Sequence, residues 1–132
     1  MKTRVLIIED NAQNLYLATY LLRSAGCEVF QSRDGRKGIE LASRMPLDLI
    51  LVDIQLPILD GYQVTRALRR DLGLKEIPIV AVTSYAMPGD REKALAAGCT
   101  GYIEKPINPD TFIAEVRRHL SPRRPSEGRK NE

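Results

Sequence analysis

Short apolar runs alternate with stretches of helical periodicity along the whole chain. The run at 49–52 reads LILV, and an apolar run without polar interruption is typical of a strand buried on both faces of a parallel sheet. After the first run, Leu15, Ala18 and Leu22 recur at the spacing of one helix face. The alternation therefore predicts successive β-α units around a parallel sheet.

Helix caps and stop signals set the predicted boundaries. Gly26 and Gly98 end helical stretches, because glycine readily adopts the left-handed conformation that closes a helix. Asp34 is a candidate N-cap, and Asn108 is another, with Pro109 at the first helical position. The predicted strands are 4–8, 28–32, 48–52, 77–82 and 101–104. The first predicted helix ends before 26, the second covers 35–44 and the third covers 61–72. The fourth runs from near 88–90 to 97, and the fifth runs from 109 to 120.

Five units of this kind predict a doubly wound three-layer α/β sandwich, a flavodoxin-like (βα)5 fold whose parallel sheet commonly has the strand order 2-1-3-4-5. A chain of 132 residues has room for one such domain, and we assign residues 1–120 to it. Residues 121–132 are rich in Pro, Ser and charge, so they offer nothing to a core and we expect a disordered basic tail.

The net charge of +3 is concentrated in that tail, which holds four Lys or Arg residues against two Glu and leaves +1 on residues 1–120. The charge therefore gives no reason to expect direct nucleic-acid binding. No apolar stretch approaches the roughly 20 residues of a membrane span, and the N-terminus leads into a strand rather than a signal sequence. Cys27 and Cys99 lack redox or metal-binding spacing. We expect a cytoplasmic protein without membrane insertion.

Carboxylates stand at the ends of two predicted strands. Asp53 follows the third strand, and Glu9 and Asp10 follow the first. In the order 2-1-3-4-5 these two strands are neighbours, and their C-terminal ends meet where such sheets bind ligands. Thr83 and Lys105 follow the fourth and fifth strands at the same edge. The sequence thus predicts a composite site made of these five residues.

Three carboxylates in one crevice repel one another, so the site needs a positive partner. Mg²⁺ prefers oxygen ligands and keeps several waters while it binds one or two carboxylates. We predict that Asp10 and Asp53 bind Mg²⁺ directly, with Mn²⁺ as an alternative ion. Glu9 would bind through water, and the backbone carbonyl of Gln55 is a further predicted ligand. Lys105 adds a compact charge that can pair with Asp53 or with a phosphoryl oxygen.

Asp53 can also act as a nucleophile, because carboxylates form acyl phosphates in phosphoryl transfer. The metal ion, Lys105 and the hydroxyl of Thr83 would hold the oxygens of the transferring group. An ionised carboxylate needs no general base. This fits a sequence whose one histidine, His119, lies at the end of the last predicted helix.

Four motifs carry a family resemblance: IIED at 7–10, LVDIQLPILDG at 51–61, AVTSYA at 81–86 and YIEKPI at 102–107. In this order and spacing they closely resemble the receiver domain of two-component response regulators, the CheY-like superfamily, over residues 4–120. The chain is most similar to stand-alone regulators of the DivK type, and it is also similar to receivers attached to hybrid histidine kinases.

The resemblance implies a role in phosphorelay signal transduction. Asp53 would be the phosphoacceptor, Thr83 the switch hydroxyl, Tyr102 the switch aromatic and Lys105 the lysine of the family's site. The donor would be a histidine kinase or a histidine phosphotransfer protein, and a downstream effector protein would contact the face formed by helix 4, strand 5 and helix 5. The protein would not be an enzyme beyond catalysing its own phosphorylation and dephosphorylation. The resemblance also implies a cis Lys105–Pro106 bond.

Two positions beside the phosphoryl group would tune its lifetime. Gln55 lies two residues beyond Asp53, and Tyr85 lies two residues beyond Thr83. A bulky ring at Tyr85 would obstruct the water that hydrolyses an acyl phosphate. We therefore expect a phosphorylated state that lives longer than that of a fast chemotaxis-type regulator.

Other interpretations compete with this one. A haloacid-dehalogenase-like phosphatase needs a second Asp where Gln55 stands, and a flavin carrier of the same fold needs a Ser/Thr/Gly-rich loop where the residues at 9–11 read EDN. A receiver-like interaction module that is never phosphorylated is a third alternative, and a receiver cut from a hybrid kinase is a fourth. Met1 and the short tail favour the stand-alone regulator.

Overall fold

The computed structural model describes residues 2–84 and 87–120; Tyr85 and the tail at 121–132, both subjects of predictions above, lie outside the described residues. The strands are β1 (Arg4–Ile8), β2 (Glu28–Ser32), β3 (Leu49–Asp53), β4 (Ile79–Thr83) and β5 (Gly101–Glu104). They form one parallel sheet in the order β2-β1-β3-β4-β5, which confirms the predicted fold class.

The helices are α1 (Ala12–Ser24), α2 (Gly35–Arg44), α3 (Gly61–Arg66), α4 (Asp90–Ala97) and α5 (Phe112–His119). Asn11, Asp34 and Asp60 begin the first three, because each side chain accepts a hydrogen bond from the backbone N–H three residues further on. Gly98, with a φ of 113°, closes α4 as predicted. No helix within the described ranges is long and apolar enough to cross a membrane.

The predicted start of the last helix was wrong. α5 begins at Phe112 rather than at Pro109. The side chain of Asn108 accepts the N–H of Asp110 at 2.9 Å, and its carbonyl accepts the N–H of Thr111 at 3.1 Å. Asn108 therefore organises a tight turn, and this local hydrogen bonding delays the helix.

The predicted helix over 61–72 is interrupted, because α3 gives way to a π-helical turn at Ala67–Asp71. Arg69 lies in this turn and donates from Nε to the carbonyl of Gly98, 2.9 Å away, at the end of α4. The third strand also begins one residue later than predicted. The carboxylate of Asp48, the residue before β3, accepts the N–H of Arg4, the first residue of β1, at 2.8 Å.

Apolar side chains cover both faces of the sheet. Successive residues of a strand point to opposite faces, so Val5 and Leu49 pack with α1 and α5, whereas Leu6 and Ile50 pack with α2, α3 and α4. All five residues of β3 are buried, as expected for a central strand with helices on both sides. The polar residues at the C-terminal ends of the strands are left at one edge of this core.

Candidate functional site

The C-terminal ends of the central strands lie side by side. The register pairs Ile8 with Val52 and Asp53 with Val82. Asp53 is the last residue of β3 rather than the residue after it, and Thr83 is the last residue of β4. Parallel pairing therefore places the residues predicted for the site at one edge of the sheet.

Lys105 joins two of the predicted acidic residues. Its ammonium nitrogen lies 3.0 Å from Glu9 Oε1 and 3.3 Å from Asp53 Oδ2. The three side chains are 8%, 4% and 4% exposed, respectively, so these are buried ion pairs. One positive charge is shared between two carboxylates, which leaves the site with an excess of negative charge.

Glu9 shows the electrostatic cost of this arrangement. Burial, and next the charge of Asp53, raise the pKa of Glu9 from 4.5 to about 7, although a hydrogen bond from the Asn11 N–H and the proximity of Lys105 oppose the rise. The Asn11 N–H lies 3.1 Å from Glu9 Oε2. A further cation beside these carboxylates would favour the ionised form of Glu9.

Asp53 is fixed from its other side by the turn that follows β3. Its Oδ1 accepts the N–H of Gln55 at 3.0 Å. Gly61 packs against the same backbone, because a Cβ atom at this position would lie 2.5 Å from the Asp53 carbonyl oxygen and 2.6 Å from Ile54 Cα. The helix predicted to begin at 61 does begin at Gly61, and a side chain at this position would displace the strand end that carries Asp53.

Asp10 lies at the exposed side of the site, next to buried Glu9. Its backbone carbonyl accepts a hydrogen bond from Arg33 Nη2 at 2.8 Å. No group of three or more His, Cys, Asp or Glu side chains within residues 2–84 and 87–120 is spaced to hold a metal ion by itself. A magnesium site here would therefore depend on fewer carboxylates, a backbone carbonyl and water, which is the mixed ligand set that Mg²⁺ ordinarily takes.

The predicted switch residues lie on neighbouring strands, Thr83 on β4 and Tyr102 on the edge strand β5. Thr83 is 1% exposed, and its carbonyl accepts the N–H of Lys105 at 2.9 Å. Tyr102 in β5 is half-buried against the apolar layer on the α4 side of the sheet. Burial raises the pKa of Tyr102, and the charges of Asp90 and Glu104 add to the rise. The Lys105–Pro106 bond is cis, as the resemblance implied.

Gln55 spans the gap between two loops of the site. Its Oε1 accepts the N–H of Ser84 at 3.3 Å, so an exposed side chain from the loop after β3 reaches the loop after β4. The other predicted tuning residue, Tyr85, follows directly but lies outside the described residues. Gln55 therefore links the loops that follow Asp53 and Thr83, the last residues of β3 and β4.

Two residues at the site were not predicted from the sequence. Asn11 both donates its N–H to Glu9 and caps α1. Its position after an acidic pair and before a helix is a recognisable capping signal. Arg33 gives no such signal, because its contact with Asp10 arises only when β2 pairs beside β1.

The profile of the response regulator receiver domain matches residues 5–117. The chain belongs to this family. Among its relatives is the polar-differentiation response regulator DivK of Brucella ovis, with 42% identity over 120 residues that cover 91% of this chain and 98% of that protein. Receiver domains are not enzymes in the usual sense, because they carry the phosphoryl group themselves.

Solved structures of receiver domains share the fold, and two of them bear on the site. The receiver domain of the sensor histidine kinase PA1611 from Pseudomonas aeruginosa, solved with a magnesium ion coordinated in its active-site cleft, matches with 37% identity, a TM-score of 0.80 and coverage of 90% of this chain and 98% of that one. A chain of the co-crystal structure of the Saccharomyces cerevisiae histidine phosphotransfer protein Ypd1 with the receiver domain of Ssk1 matches with 29% identity, a TM-score of 0.81 and coverage of 90% and 89%.

Proposed function

We propose that this protein is a single-domain response regulator that accepts a phosphoryl group on Asp53 from a histidine kinase or a histidine phosphotransfer protein. The observation that carries the proposal is the buried contact of Asp53 Oδ2 with Lys105 Nζ, 3.3 Å, beside a second acidic residue, Glu9. A buried carboxylate next to a fixed cation is suited to attack a phosphoryl group whose oxygens need neutralisation.

In the proposed reaction an oxygen of Asp53 attacks phosphorus as the bond from phosphorus to the donor's imidazole nitrogen breaks. Asp53 attacks as a carboxylate, so no proton has to leave it, and the electron pair of the broken bond stays on the imidazole nitrogen. Lys105 Nζ lies close enough to Asp53 Oδ2 to pair with an oxygen of a phosphoryl group bound there. The Gln55 N–H, 3.0 Å from Asp53 Oδ1, holds the other carboxylate oxygen in place. Hydrolysis of the acyl phosphate would then reset the protein.

The residues at this edge fit a magnesium ion. Asp10 and Asp53 would hold it with the backbone carbonyl of Gln55, and Glu9 would bind through water, with Mn²⁺ as an alternative ion. The rise in the pKa of Glu9 to about 7, caused first by burial and next by the charge of Asp53, supports a site that gains from another cation. The ion would neutralise phosphoryl oxygens during transfer.

Signalling would proceed through protein contacts. We propose that the Thr83 hydroxyl turns toward the phosphoryl group and that Tyr102 moves further inward, which shifts the population of packings of the α4, β5 and α5 face. Arg91, Lys93 and Glu104 are exposed on these elements and are candidates for contact with an effector protein.

The magnesium-bound PA1611 receiver and the Ypd1–Ssk1 complex support the proposed cofactor and class of donor. A cytoplasmic location is part of the proposal, because both cysteines are free, as in reducing compartments.

Intact mass spectrometry after incubation with acetyl phosphate and Mg²⁺ tests the chemistry. We expect one phosphoryl adduct on the wild-type chain and none on Asp53→Asn. Asp60→Asn is the matched control, since asparagine keeps the N-cap of α3 and Asp60 takes no part in the proposed transfer. Chelation of divalent ions should abolish the adduct.

A wild-type chain that acquires no adduct would favour the interaction module that is never phosphorylated. An adduct that persists in Asp53→Asn would place the acceptor elsewhere. Transfer from a phosphorylated histidine phosphotransfer protein, measured on the same variants, then tests the class of donor separately from the chemistry of the acceptor.

A further inference from the structure

The peptide group between Asp10 and Asn11 is held at both of its ends by side chains. Its carbonyl oxygen accepts a hydrogen bond from Arg33 Nη2 at 2.8 Å, and its N–H donates to Glu9 Oε2 at 3.1 Å. One residue earlier, the N–H of Glu9 donates to the Ser32 carbonyl at 2.9 Å. The backbone is therefore fixed on both sides of Asp10, and two of the three contacts come from the end of β2 and the residue after it.

Hydrogen bonds and close packing hold the loop that carries Arg33. Ser32 Oγ donates to the Asp34 carbonyl at 2.7 Å, and the Asp34 side chain caps α2. A Cβ atom at Gly35 would lie 2.6 Å from Val64 Cγ2, so the loop has no room to shift toward α3. The backbone of Arg33 is thus held in a defined position relative to the loop after β1.

The contacts of Arg33 continue into the proposed phosphorylation site. Glu9 Oε2, which accepts the N–H of Asn11, also lies 3.3 Å from Lys105 Nζ, and Lys105 pairs with Asp53. A peptide group whose carbonyl accepts a hydrogen bond from a cation is polarised and becomes a stronger donor at its N–H. The contact of Arg33 therefore strengthens the hydrogen bond that orients the Glu9 carboxylate.

We propose that Arg33 is a positioning residue for the magnesium site: by fixing the peptide group after Asp10, it holds Asp10 and Glu9 in place before the ion binds. This inference rests on the proposed function, in which Asp10 binds the ion directly and Glu9 binds it through water. Asp10 is exposed, so without this contact its backbone would lose more conformational freedom when the ion binds, and that loss weakens binding. Arg33 acts through the main chain and does not contact the ion.

The charge of Arg33 gives the proposal a direction that can be measured. A guanidinium group near the site repels Mg²⁺, so a role of its charge alone predicts that its removal tightens metal binding, whereas a positioning role predicts the opposite. Arg36 separates the two roles, because it is exposed and lines the same groove as Asp10 and Arg33. Among the residues that the structure describes, no hydrogen bond joins Arg36 to Asp10.

Titration of the full-length ¹⁵N-labelled protein with MgCl₂, followed through the NMR shifts of the amides at 9–11 and 53–55, measures the dissociation constant. We expect Arg33→Gln to weaken Mg²⁺ binding about fivefold, less than the roughly tenfold to hundredfold loss usual for residues that orient metal ligands, because this contact is exposed. Salt at about 0.15 M screens the charge difference between exposed groups. Arg33→Lys should recover part of the loss, since lysine keeps a charged donor, and Arg36→Gln should bind Mg²⁺ no more weakly than the wild type.

Amide hydrogen exchange of the ion-free protein gives a readout that does not involve the metal. Arg33→Gln should accelerate exchange at Asn11 several-fold, because the peptide group loses one of its two anchors, while amides in the middle of β3 keep their wild-type rates. Arg36→Gln should leave the exchange at Asn11 unchanged.

Three outcomes overturn this proposal and leave the proposed function intact. They are an unchanged exchange rate at Asn11 in Arg33→Gln, Mg²⁺ binding by Arg33→Gln that is as tight as that of the wild type or tighter, and equal weakening of Mg²⁺ binding by Arg33→Gln and Arg36→Gln. A wild-type chain without saturable Mg²⁺ shifts would overturn this proposal together with the magnesium site of the proposed function.

Discussion

Lys105 Nζ lies 3.3 Å from Asp53 Oδ2, and both side chains are more than nine-tenths buried. The same ammonium group lies 3.0 Å from Glu9, so its removal would leave two buried carboxylates facing each other. Breaking a buried ion pair by removing one partner is usually much more costly than losing a surface pair. This relationship makes Lys105 a structural as well as a chemical part of the proposed site.

We expect Lys105→Met to lower the free energy of unfolding at pH 8 by about 3 kcal/mol in the absence of divalent ions. Mg²⁺ should then stabilise the variant more than it stabilises the wild type, because the ion would replace the lost positive charge. Urea denaturation with and without Mg²⁺ measures both effects. Lys93→Met removes an exposed lysine of α4 and should change neither quantity; equal stability of Lys105→Met and the wild type would contradict the argument.

The pKa of Glu9, about 7 against 4.5, predicts a pH dependence with a definite sign. Between these values the folded protein holds a proton on Glu9 that the unfolded chain has released. The ion-free protein should therefore lose stability as the pH rises from 4.5 to about 7, and should lose no more from this group above that range.

Glu9→Gln tests the assignment, because glutamine keeps the shape of the side chain and removes the titration. Unfolding measured at pH 4.5, 6 and 8 should show a flatter profile in the variant. Stabilisation by Mg²⁺ should increase with pH in the wild type, since the ion favours the ionised carboxylate. An unchanged profile in Glu9→Gln would mean that another group causes the pH dependence.

The strand pattern was predictable because β1 and β3 are covered on both faces, so burial itself forces continuous apolar runs. The order of the strands then determines which strand ends meet. Glu9 and Lys105 are 96 positions apart in the chain, so their contact could be predicted only from the strand order. The distances between their atoms could not be predicted from the sequence.

Other features depend on interactions that leave no local pattern. The start of α5 was predicted wrongly because an Asn side chain can either cap a helix or form a turn. In this structure the side chain of Asn108 forms a turn. The π-helical turn at Ala67–Asp71 was missed because nothing in its periodicity shows that Arg69 contacts the end of α4. The pKa of Glu9 depends on burial, which the order of residues does not quantify.

The side chain of Gln55 and the predicted position of the Tyr85 ring beside the phosphoryl group lead to a kinetic prediction. If both restrict water at an acyl phosphate on Asp53, Tyr85→Ala should accelerate dephosphorylation several-fold, and Gln55→Ala, which removes the 3.3 Å contact with the Ser84 N–H, should act in the same direction. Loss of the adduct over time, followed by intact mass, measures the rate. Gln63→Ala is the control, because Gln63 lies at the start of α3 and caps that helix. A dephosphorylation rate unchanged in Tyr85→Ala would rule out the steric explanation.

Arg69 links the π-helical turn to the end of α4 and to the segment before β4. It donates to the carbonyls of Gly98, Leu74 and Ile77 at 2.9, 2.8 and 2.7 Å, and to Thr100 Oγ1 at 3.2 Å. Thr100 Oγ1 in turn accepts the N–H of Ile79, the first residue of β4. One half-buried guanidinium group therefore donates hydrogen bonds to three backbone carbonyls and to one hydroxyl.

We expect Arg69→Met to lower the free energy of unfolding by about 3 kcal/mol, because methionine keeps part of the aliphatic stem and leaves partly buried carbonyls without their charged donor. Arg70→Met is a close control, since Arg70 is the next residue in the same turn, is 76% exposed and pairs only with Asp71 at 3.5 Å among the described residues. A surface pair of this kind contributes about 0–1 kcal/mol. Urea denaturation of the two variants should separate them clearly; equal losses would mean that the contacts of Arg69 add little beyond a surface ion pair.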